Sequence, residues 1–522
     1  ASKGLKSPMH QDNYYWCLNN GKALTVWVAL DPVSSKNGGI KYYSCSHKLG
    51  VVKHEPSFAK GSSQKVSKIN KYKKYRQICP KLSPGDALFH HSEIIHGSSP
   101  NKSGLRRRGL TFQFKDYAAK YDIKMKKKYL KSLDKQVNLR KKKIIQMPGY
   151  ELIDWKEKKA LKEIFDQGSI FFAHGFDKVR KKYHVREFEA ACEIFFKSKY
   201  CLFVSSGTAA IKIGLKALNV GPGDHVLTQS FNFIATIEAI LDVGAIPKII
   251  KIDDSLNMCP EDLKKNITKR TKAVIPVHML GFSADLDSIK KTCKKQKIPI
   301  LEDNCEAIGG SYKNRYLGCF SDVGVFSFDF GKIITTGEGG MILTDNKKIY
   351  EYCKEYHDHG HQNLKNISRG NDRARISGFN YRATEFQGAV GKVQLKKLKI
   401  LLKDNKQKYL IIDKYLNKKF EIRKIHKNSQ PNFDTYIFFV KNSKKRRDIV
   451  SLLHNLNIGT KNLPDAIKWH CSYYWKHCLP ESQIKRSFST KEKLEECIAI
   501  PINYKISLNR YKDLCKKILQ IK

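Results

Sequence analysis

The sequence predicts an α/β fold, with a mainly parallel sheet covered by helices, preceded by an all-β unit. Three observations lead to it: a length of 522 residues, short strand-like runs in the first part, and alternating strand-like and helix-like segments after residue 147. A chain of this length is too long to fold around a single hydrophobic core, so two or three domains are expected. The predicted ranges are an all-β domain at 1–118, a linker at 119–146, a large domain at 147–394 and a small α+β domain at 395–522.

The all-β unit is predicted from apolar runs that turn-forming residues separate. Clusters of Ser, Asn, Pro and Gly at 34–39 and 83–85 interrupt the runs, which is typical of antiparallel strands. The predicted strands are residues 24–30, 40–44, 86–90 and 109–114.

The charge of the chain is strongly basic. Lys and Arg number 98 against 49 acidic residues, and a basic stretch at 124–143 suggests a solvated linker or an exposed helix. One hypothesis is a basic nucleic-acid-binding protein with a degenerate enzyme domain. No nucleic-acid-binding motif accompanies the lysines, so a lysine-rich surface is favoured and nucleic acid is not expected as a partner.

From residue 147 onward, strand-like segments alternate with helix-like ones, as in a parallel sheet with helical crossovers. No run approaches 18 apolar residues, so no membrane span is expected. The predicted strands of the large domain are residues 201–204, 225–228, 248–252, 273–277, 299–301 and 323–327, and 434–440 is the clearest strand of the small domain.

Three features of this region suggest a phosphate-bearing cofactor. The turn at 205–210 opens a helix, whose free N–H groups suit a phosphate. Asp303 follows a buried strand, where a carboxylate could pair with a protonated pyridine nitrogen. Lys332 lies in a mostly uncharged stretch, which is expected to lower its pKa for imine formation.

Residues 147 to about 506 resemble the DegT/DnrJ/EryC1/StrS family of fold-type I, pyridoxal-phosphate (PLP) sugar aminotransferases. The matching segments are SSGTAA at 205–210, SFNFIAT at 230–236, PVHMLG at 276–281, LED at 301–303, FSFDFGK at 326–332, TGEGG at 336–340 and GFNYR at 378–382. The resemblance implies a homodimer with shared active sites, a keto sugar substrate and glutamate as the amino donor.

The resemblance also implies roles for individual residues. Lys332 is the catalytic Schiff-base lysine and Asp303 pairs with the pyridine nitrogen. Phe233 stacks on the ring, with Phe231 as the alternative. Glu306 stands where Gln or His is usual, so its carboxyl group should be protonated or turned away. The residues implied to bind the phosphate are Gly207, Thr208, Ala209, Ser327 and, from the neighbouring subunit, Asn380.

The segment 356–372 contains a Tyr-His-Asp-His-Gly-His run. Three histidines in a Gly-containing loop are weak evidence for a metal site. The segment resembles instead the subgroup that makes 8-amino-3,8-dideoxy-octulosonate, which implies 8-oxo-3,8-dideoxy-octulosonate or a nucleotide-linked keto sugar as substrate in lipopolysaccharide or other cell-surface glycan synthesis. The scattered cysteines, without a C-x-x-C pair, indicate a cytoplasmic protein with reduced thiols.

The N-terminal part carries a second constellation. His10 and Asp12 are expected on one face of a strand, because strand side chains alternate. With His96 they make a set of two His and one carboxylate, typical of non-haem Fe(II) oxygenases. The segments at 30–38, 45–48 and 84–86 complete a resemblance to part of the phytanoyl-CoA dioxygenase family, a double-stranded β-helix.

By this second resemblance His10, Asp12 and His96 bind Fe(II), and Arg107 binds 2-oxoglutarate, with Arg106 as the alternative. Only nine residues precede His10. The barrel is therefore expected to be partial, with little or no oxygenase activity.

Overall fold

The computed structural model describes residues 6–59, 62–141, 150–176, 179–364 and 367–521. The chain divides into two compact units, residues 1–144 and 145–522. The predicted boundary at 146/147 falls on residues 142–149, which lie outside the described residues.

The first unit consists of antiparallel β-structure with two helices, in agreement with the predicted all-β unit. Two sheets have the strand orders β1-β8-β3-β6 and β7-β2-β9, and β4 and β5 form a hairpin. The elements are β1 Ser7–His10, α1 Asn13–Trp16, β2 Ala23–Ala29, β3 Ile40–Tyr43, β4 His54–Ala59, β5 Ser62–Val66, β6 Gln77–Ile78, β7 Ala87–His91, β8 His96–Ser98, β9 Gly109–Lys115 and α2 Ile123–Lys141.

The segment 119–146, predicted as a solvated linker or an exposed helix, is largely the helix α2, which belongs to the first unit. The ring of Tyr129 on α2 lies 6.0 Å from that of Tyr14 and 5.8 Å from that of Tyr15, in edge-to-face geometry. Such aromatic contacts stabilise a helix against its neighbours. The basic composition left a solvated linker and an exposed helix open, and it did not reveal the contacts of Tyr129.

The second unit contains the alternating strands and helices that the sequence predicts. Its strands are β10 Tyr200–Val204, β11 His225–Gln229, β12 Ile246–Ile250, β13 Thr271–Ile275, β14 Leu301–Asp303, β15 Ser311–Tyr312, β16 Arg315–Tyr316, β17 Val323–Ser327, β18 Gly340–Thr344, β19 Ser429–Gln430, β20 Thr435–Phe439 and β21 Cys497–Pro501. Its helices are α3 Trp155–Asp166, α4 His184–Phe196, α5 Gly207–Ala217, α6 Ala235–Asp242, α7 Pro260–Asn266, α8 Leu286–Lys295, α9 Lys347–Tyr356, α10 Glu385–Leu416, α11 Ser443–Asn455, α12 Ile467–His470, α13 Glu481–Arg486, α14 Phe488–Glu495 and α15 Leu508–Gln520.

The central sheet is parallel apart from β18. The strands order as β10-β18-β17-β14 and as β12-β11-β13, and the parallel bridges Val274–Ile300 and Val277–Asp303 join the two groups. β18 runs antiparallel to both of its neighbours. The carboxyl ends of β14 and β17 therefore lie at one edge of the sheet, where α/β folds bind their ligands.

Helix α5 packs tightly on this sheet because its inward face is apolar and small. Ile213 and Leu215 are fully buried. A Cβ at Gly214 would lie 2.7 Å from the Leu301 side chain and 3.1 Å from that of Val323, so glycine permits this close approach. The tight packing fixes the N-terminus of α5 next to the ends of β14 and β17.

The small domain pairs β20 with β21 and packs them among helices. The predicted boundary at 394/395 falls inside the continuous helix α10, so that helix contributes to both domains. Among the described residues, no helix combines the length and apolar character needed to cross a membrane.

Candidate functional site

A cavity of about 620 Å³ opens at the carboxyl edge of the sheet in the second unit. Side chains from the ends of β14 and β17, from the N-terminus of α5 and from the small domain line it. Of the residues predicted from the sequence, it brings together Gly207, Thr208, Phe233, Asp303, Glu306, Ser327 and Lys332. Ala209 is buried beside it, one residue after Thr208.

The turn into α5 presents backbone N–H groups that can bind an anion, and this turn is called the phosphate cradle below. Ser206 caps the helix, and its Oγ accepts a hydrogen bond from Ala209 N–H at 3.1 Å. The N–H groups of the first turn have no partner within the helix. A Cβ at Gly207 would lie 2.9 Å from Ser327 Cβ and 3.1 Å from Cys305 Sγ, so glycine allows the turn to lie against β17. These donors fit a phosphate group.

Asp303 ends β14 with its carboxylate fixed from both sides. Thr236 Oγ1 donates to Asp303 Oδ2 at 2.9 Å, and Cys305 N–H donates to Oδ1 at 3.0 Å. The residue is 2% exposed. A buried, oriented carboxylate of this kind fits a pyridinium nitrogen.

Lys332 follows β17 and lies next to Glu306, with Nζ 3.8 Å from Glu306 Oε1. Burial alone lowers the pKa of Lys332, but the negative charge of Glu306, with smaller effects from other acidic groups, raises it above its usual range. The expectation of a lowered pKa is therefore wrong. The stretch around Lys332 is mostly uncharged, but the fold brings a carboxylate to it from the loop after β14.

Glu306 is a fixed carboxylate. Its Oε2 accepts the Leu280 N–H at 3.0 Å and its Oε1 accepts Asn462 Nδ2 at 3.0 Å. Burial raises the pKa of Glu306, yet the nearby cations Lys332 and Lys461 outweigh it and lower the pKa to about 2. Of the two alternatives from the sequence, protonation is thus contradicted, because the cations favour the ionised form.

The two candidate phenylalanines have different surroundings. Phe233 lines the cavity, is 42% exposed, and its ring lies 5.3 Å from that of His470. Phe231 is completely buried and is not among the residues that line the cavity. Only Phe233 is placed to contact a bound ring.

Asn380 lies outside the cavity, on the surface of the unit. Its neighbour Tyr381 accepts a hydrogen bond from Ser205 N–H at 2.8 Å through its backbone oxygen, next to the α5 turn. Asn380 is therefore exposed, next in the chain to the Tyr381 backbone that contacts this turn, and it is not among the residues that line the cavity of its own unit.

The His-Asp-His-Gly-His loop holds an ion cluster. Asp358 is fully buried and accepts hydrogen bonds from Arg369 Nη1 and Arg382 Nη1, both at 2.6 Å, and from Asn363 Nδ2 at 3.0 Å. The two arginines hydrogen-bond the Asp358 carboxylate, so it is not available as a metal ligand. Within the described ranges, this loop contributes to no group of potential metal ligands.

Sequence reasoning missed the contribution of the small domain to the cavity. Lys461, Asn462 and His470 line it, and the first two lie in the loop before α12. No recognised pattern surrounds them in the sequence, and they reach the cavity only through the packing of the small domain.

In the first unit, His10, Asp12 and His96 converge. His10 lies directly opposite His96 in the β1–β8 register. His10 Nε2 is 3.7 Å and His96 Nε2 is 3.6 Å from Asp12 Oδ1, and one ligand atom from each residue lies within 4.8 Å of the others. Burial lowers the pKa of His96 to about 3, which keeps the imidazole neutral. Two imidazoles and a carboxylate fit Fe(II).

The prediction that His10 and Asp12 lie on one face of a strand is wrong for Asp12. β1 ends at His10, and Asp12 has helical backbone angles (φ −62°, ψ −39°) at the start of α1. A turn, rather than strand alternation, therefore brings the carboxylate to the two histidines.

Three more side chains surround Asp12 that sequence reasoning did not identify. Thr25 Oγ1 donates to Asp12 Oδ2 at 2.7 Å, and His90 Nε2 lies 3.3 Å from the same oxygen. Tyr42 OH is 3.1 Å from His90 Nδ1. These residues come from three separate strands, so no local motif joins them.

The three consecutive arginines before β9 differ in their partners. Arg107 Nε is buried and has no hydrogen-bond partner in the part of the chain that the structure describes. Arg106 is exposed, and Arg108 pairs with Asp31 through Nε at 3.0 Å and Nη2 at 2.9 Å. A guanidinium whose buried Nε lacks a partner fits a carboxylate ligand such as 2-oxoglutarate.

The chain is similar to two GDP-perosamine synthases. GDP-perosamine synthase of Escherichia coli O157:H7 is 30% identical over 290 residues, 54% of this chain and 78% of that protein. The GDP-perosamine synthase of Vibrio cholerae is 31% identical over 293 residues, 56% of this chain and 76% of that protein.

Solved structures share the fold. 3-Amino-5-hydroxybenzoic acid synthase superposes with a TM-score of 0.63 at 23% identity, over 72% of this chain and 98% of that chain. The Helicobacter pylori aminotransferase of pseudoaminic acid biosynthesis gives 0.62 at 24% identity over the same shares. The fold-type I prediction is confirmed.

Two family models match the chain. Residues 1–109 match the phytanoyl-CoA dioxygenase family, which implies dependence on Fe(II) and 2-oxoglutarate. Residues 173–519 match the DegT/DnrJ/EryC1/StrS aminotransferase family, whose cofactor is PLP. The second unit is accordingly a PLP-dependent aminotransferase, and the chain belongs to the DegT/DnrJ/EryC1/StrS aminotransferase family.

Proposed function

We propose that the second unit transfers an amino group from glutamate to a keto sugar for the synthesis of a cell-surface glycan. The observation that carries this proposal is the convergence of Lys332, Asp303 and the Gly207 turn on one cavity. The relatives named GDP-perosamine synthase and the Bacillus subtilis spore coat polysaccharide biosynthesis protein SpsC, 36% identical over 220 residues, support a sugar substrate.

The cavity residues have complementary roles in holding PLP. When bound, PLP supplies an electron sink beside the reacting carbon of the substrate. The other N–H groups of the α5 turn, with Thr208 and Ser327, would bind its phosphate, whereas the Ala209 N–H donates to Ser206 Oγ. The carboxylate of Asp303 pairs with its ring nitrogen, and Phe233 stacks on its ring.

In this proposal Lys332 acts both as the catalytic base and as the catalytic acid. Its amine would hold the cofactor and would move a proton at the substrate carbon during amino transfer. Glu306 keeps the Lys332 side chain in place through the 3.8 Å ion pair. Asn462 and the Leu280 N–H in turn fix Glu306, so the amine has a defined position in the cavity.

A second copy of the chain completes each site in this proposal. Asn380 faces outward next to Phe379, which is 49% exposed. We propose a homodimer in which Asn380 reaches the cofactor phosphate of the neighbouring subunit.

The sugar is proposed to be anionic, either 8-oxo-3,8-dideoxy-octulosonate for lipopolysaccharide or a nucleotide-linked keto sugar. The net charge of +49 attracts such substrates. Reduced thiols and small-molecule substrates are consistent with a cytoplasmic location. Glutamate would leave as 2-oxoglutarate.

The test supplies PLP-loaded protein with ¹⁵N-glutamate and a panel of keto sugars. Mass spectrometry should find ¹⁵N in one sugar product, and Lys332→Ala should transfer none. Release of 2-oxoglutarate without amination of any sugar in the panel would contradict the proposed substrate class.

We propose that the first unit carries the Fe(II) and 2-oxoglutarate sites of an oxygenase, with little or no oxygenase activity expected from the partial barrel. The support is the triad of His10, Asp12 and His96, together with the unpartnered Arg107 Nε among the described residues. The triad would hold Fe(II), which when bound supplies oxygen activation, and Arg107 would bind the distal carboxylate of 2-oxoglutarate.

A further inference from the structure

Two of the three histidines near Asp12 have one ring nitrogen fixed by the backbone. His10 Nδ1 lies 2.7 Å from Pro8 O, and His96 Nδ1 lies 3.0 Å from Ile94 O. A carbonyl oxygen can only accept a hydrogen bond, so each Nδ1 carries the proton. Each Nε2 then keeps its lone pair for a metal, the usual arrangement of histidine ligands.

The two oxygens of Asp12 are divided between two sets of partners. Oδ1 faces the Nε2 atoms of His10 and His96, at 3.7 and 3.6 Å. Oδ2 accepts the Thr25 hydroxyl at 2.7 Å and lies 3.3 Å from His90 Nε2. The metal side of the carboxylate is therefore Oδ1, and Oδ2 is engaged by the protein.

His90 has the opposite arrangement of ring nitrogens. The oxygen near its Nε2 belongs to a carboxylate, which only accepts, so Nε2 carries the proton. Its Nδ1 then accepts the hydrogen bond from Tyr42 OH at 3.1 Å. A protonated nitrogen cannot bind a metal, so His90 serves as a donor to Asp12, and Tyr42 OH holds the other side of its ring.

We propose that His90, oriented by Tyr42, is a positioning residue that restricts Asp12 to metal binding through Oδ1 alone. This inference rests on the proposed Fe(II) site of the first unit. A carboxylate that binds through one oxygen occupies one coordination position, whereas one that binds through two occupies two. His90 thus preserves open positions that an oxygenase needs for its cosubstrate and oxygen.

The packing around His90 makes this restriction rigid. His90 and Tyr42 are each 7% exposed, and the Tyr42 ring stacks on that of His96 with centroids 5.9 Å apart. Strand β7 alternates, so His90 points inward and its neighbour His91 is exposed. His91 therefore serves as a matched control.

The experiment measures Co(II) binding to the full chain, by titration and by the visible absorption of the bound ion, whose intensity depends on coordination number. We expect His90→Phe to weaken binding about 10- to 100-fold and to change the spectrum. Tyr42→Phe, which keeps the stacked ring, should change the spectrum in the same direction with a smaller loss of affinity. His91→Phe should leave both unchanged.

His96→Ala in the same titration separates the two proposals. If Co(II) binding to the wild-type chain does not depend on His96, the Fe(II) site fails and this inference with it. Co(II) binding that depends on His96 supports the Fe(II) site. If His90→Phe and Tyr42→Phe then retain the wild-type affinity and spectrum, only the role of His90 is refuted. Loss of binding in His90→Phe as complete as in His96→Ala would also refute it, since His90 would then be a ligand. If His90→Phe fails to fold, the spectrum of Tyr42→Phe decides.

Discussion

Lys332 Nζ and Glu306 Oε1 lie 3.8 Å apart in the aminotransferase cavity, and Asn462 and the Leu280 N–H hold Glu306 in place. The residue expected to bind the cofactor is therefore paired with a carboxylate that the sequence led us to expect protonated or turned away. The pair raises the pKa of Lys332. Two of the predictions below depend on this relationship.

Replacement of Lys332 by alanine should remove the covalent link to PLP and the proton transfer. We expect transamination to fall by at least about 10²- to 10⁴-fold, the usual contribution of a positioned acid–base group. The measurement is ¹⁵N transfer from glutamate, together with the absorbance of the protein after reduction with borohydride. Lys332→Arg, which keeps a cation beside Glu306, should be equally inactive. Wild-type turnover in either variant would show that another residue carries the chemistry.

Glu306→Gln should lower the pKa of Lys332, because the negative charge that stabilises the ammonium form is removed. More neutral amine is then present near neutral pH, about tenfold more for each unit by which the pKa falls. Apoprotein should therefore take up PLP faster, with the pH profile of the uptake rate displaced to lower pH. Glu338→Gln is the control, since Glu338 also lines the cavity. An unchanged profile for Glu306→Gln would contradict the proposed ion pair.

Gly207→Ala should damage the phosphate cradle. The added Cβ would lie 2.9 Å from Ser327 Cβ and 3.1 Å from Cys305 Sγ, so the turn or β17 must shift. We expect weaker PLP retention on dialysis and about 1–3 kcal/mol lower stability in denaturant unfolding, as for other overpacked sites. Gly221→Ala is the matched control, because a Cβ there meets nothing within 4 Å. Equal behaviour of the two variants would argue against a tight cradle.

Asn380→Ala should weaken PLP retention without disrupting subunit folding, if the residue binds the phosphate of the neighbouring subunit. Sedimentation should show a dimer for both the wild type and the variant, since the amide of one side chain contributes little to a whole interface. A fully active monomer would exclude the shared site.

Arg107→Ala should abolish binding of 2-oxoglutarate to the first unit, measured calorimetrically in the presence of Co(II). The buried Arg107 Nε has no partner among the described residues, whereas Arg106 is exposed. Arg106→Ala should therefore bind 2-oxoglutarate with nearly wild-type affinity. The reverse order of the two variants would assign the cosubstrate to Arg106.

The sequence was sufficient to predict the fold class and most of the cavity. Strand-like and helix-like runs are local, so the periodicity revealed β10, α5 and β17 near their observed bounds. Residues in short motifs, such as Gly207, Asp303 and Lys332, were predicted together and lie together. For residues 124–143 the sequence left a linker and an exposed helix open, and it did not reveal that Tyr129 of helix α2 packs on Tyr14 and Tyr15.

The sequence by itself determined which chemical groups this protein carries and on which elements, because motifs and periodicity depend on neighbouring residues. Only the tertiary structure decided how those groups affect one another. Glu306 is 26 residues from Lys332 and 156 from Asn462 in the chain, and His90 is 78 from Asp12. Electrostatic interactions and hydrogen bonds depend on distance in space, so the charge of Lys332 and the orientation of Asp12 follow from the fold and not from any local pattern.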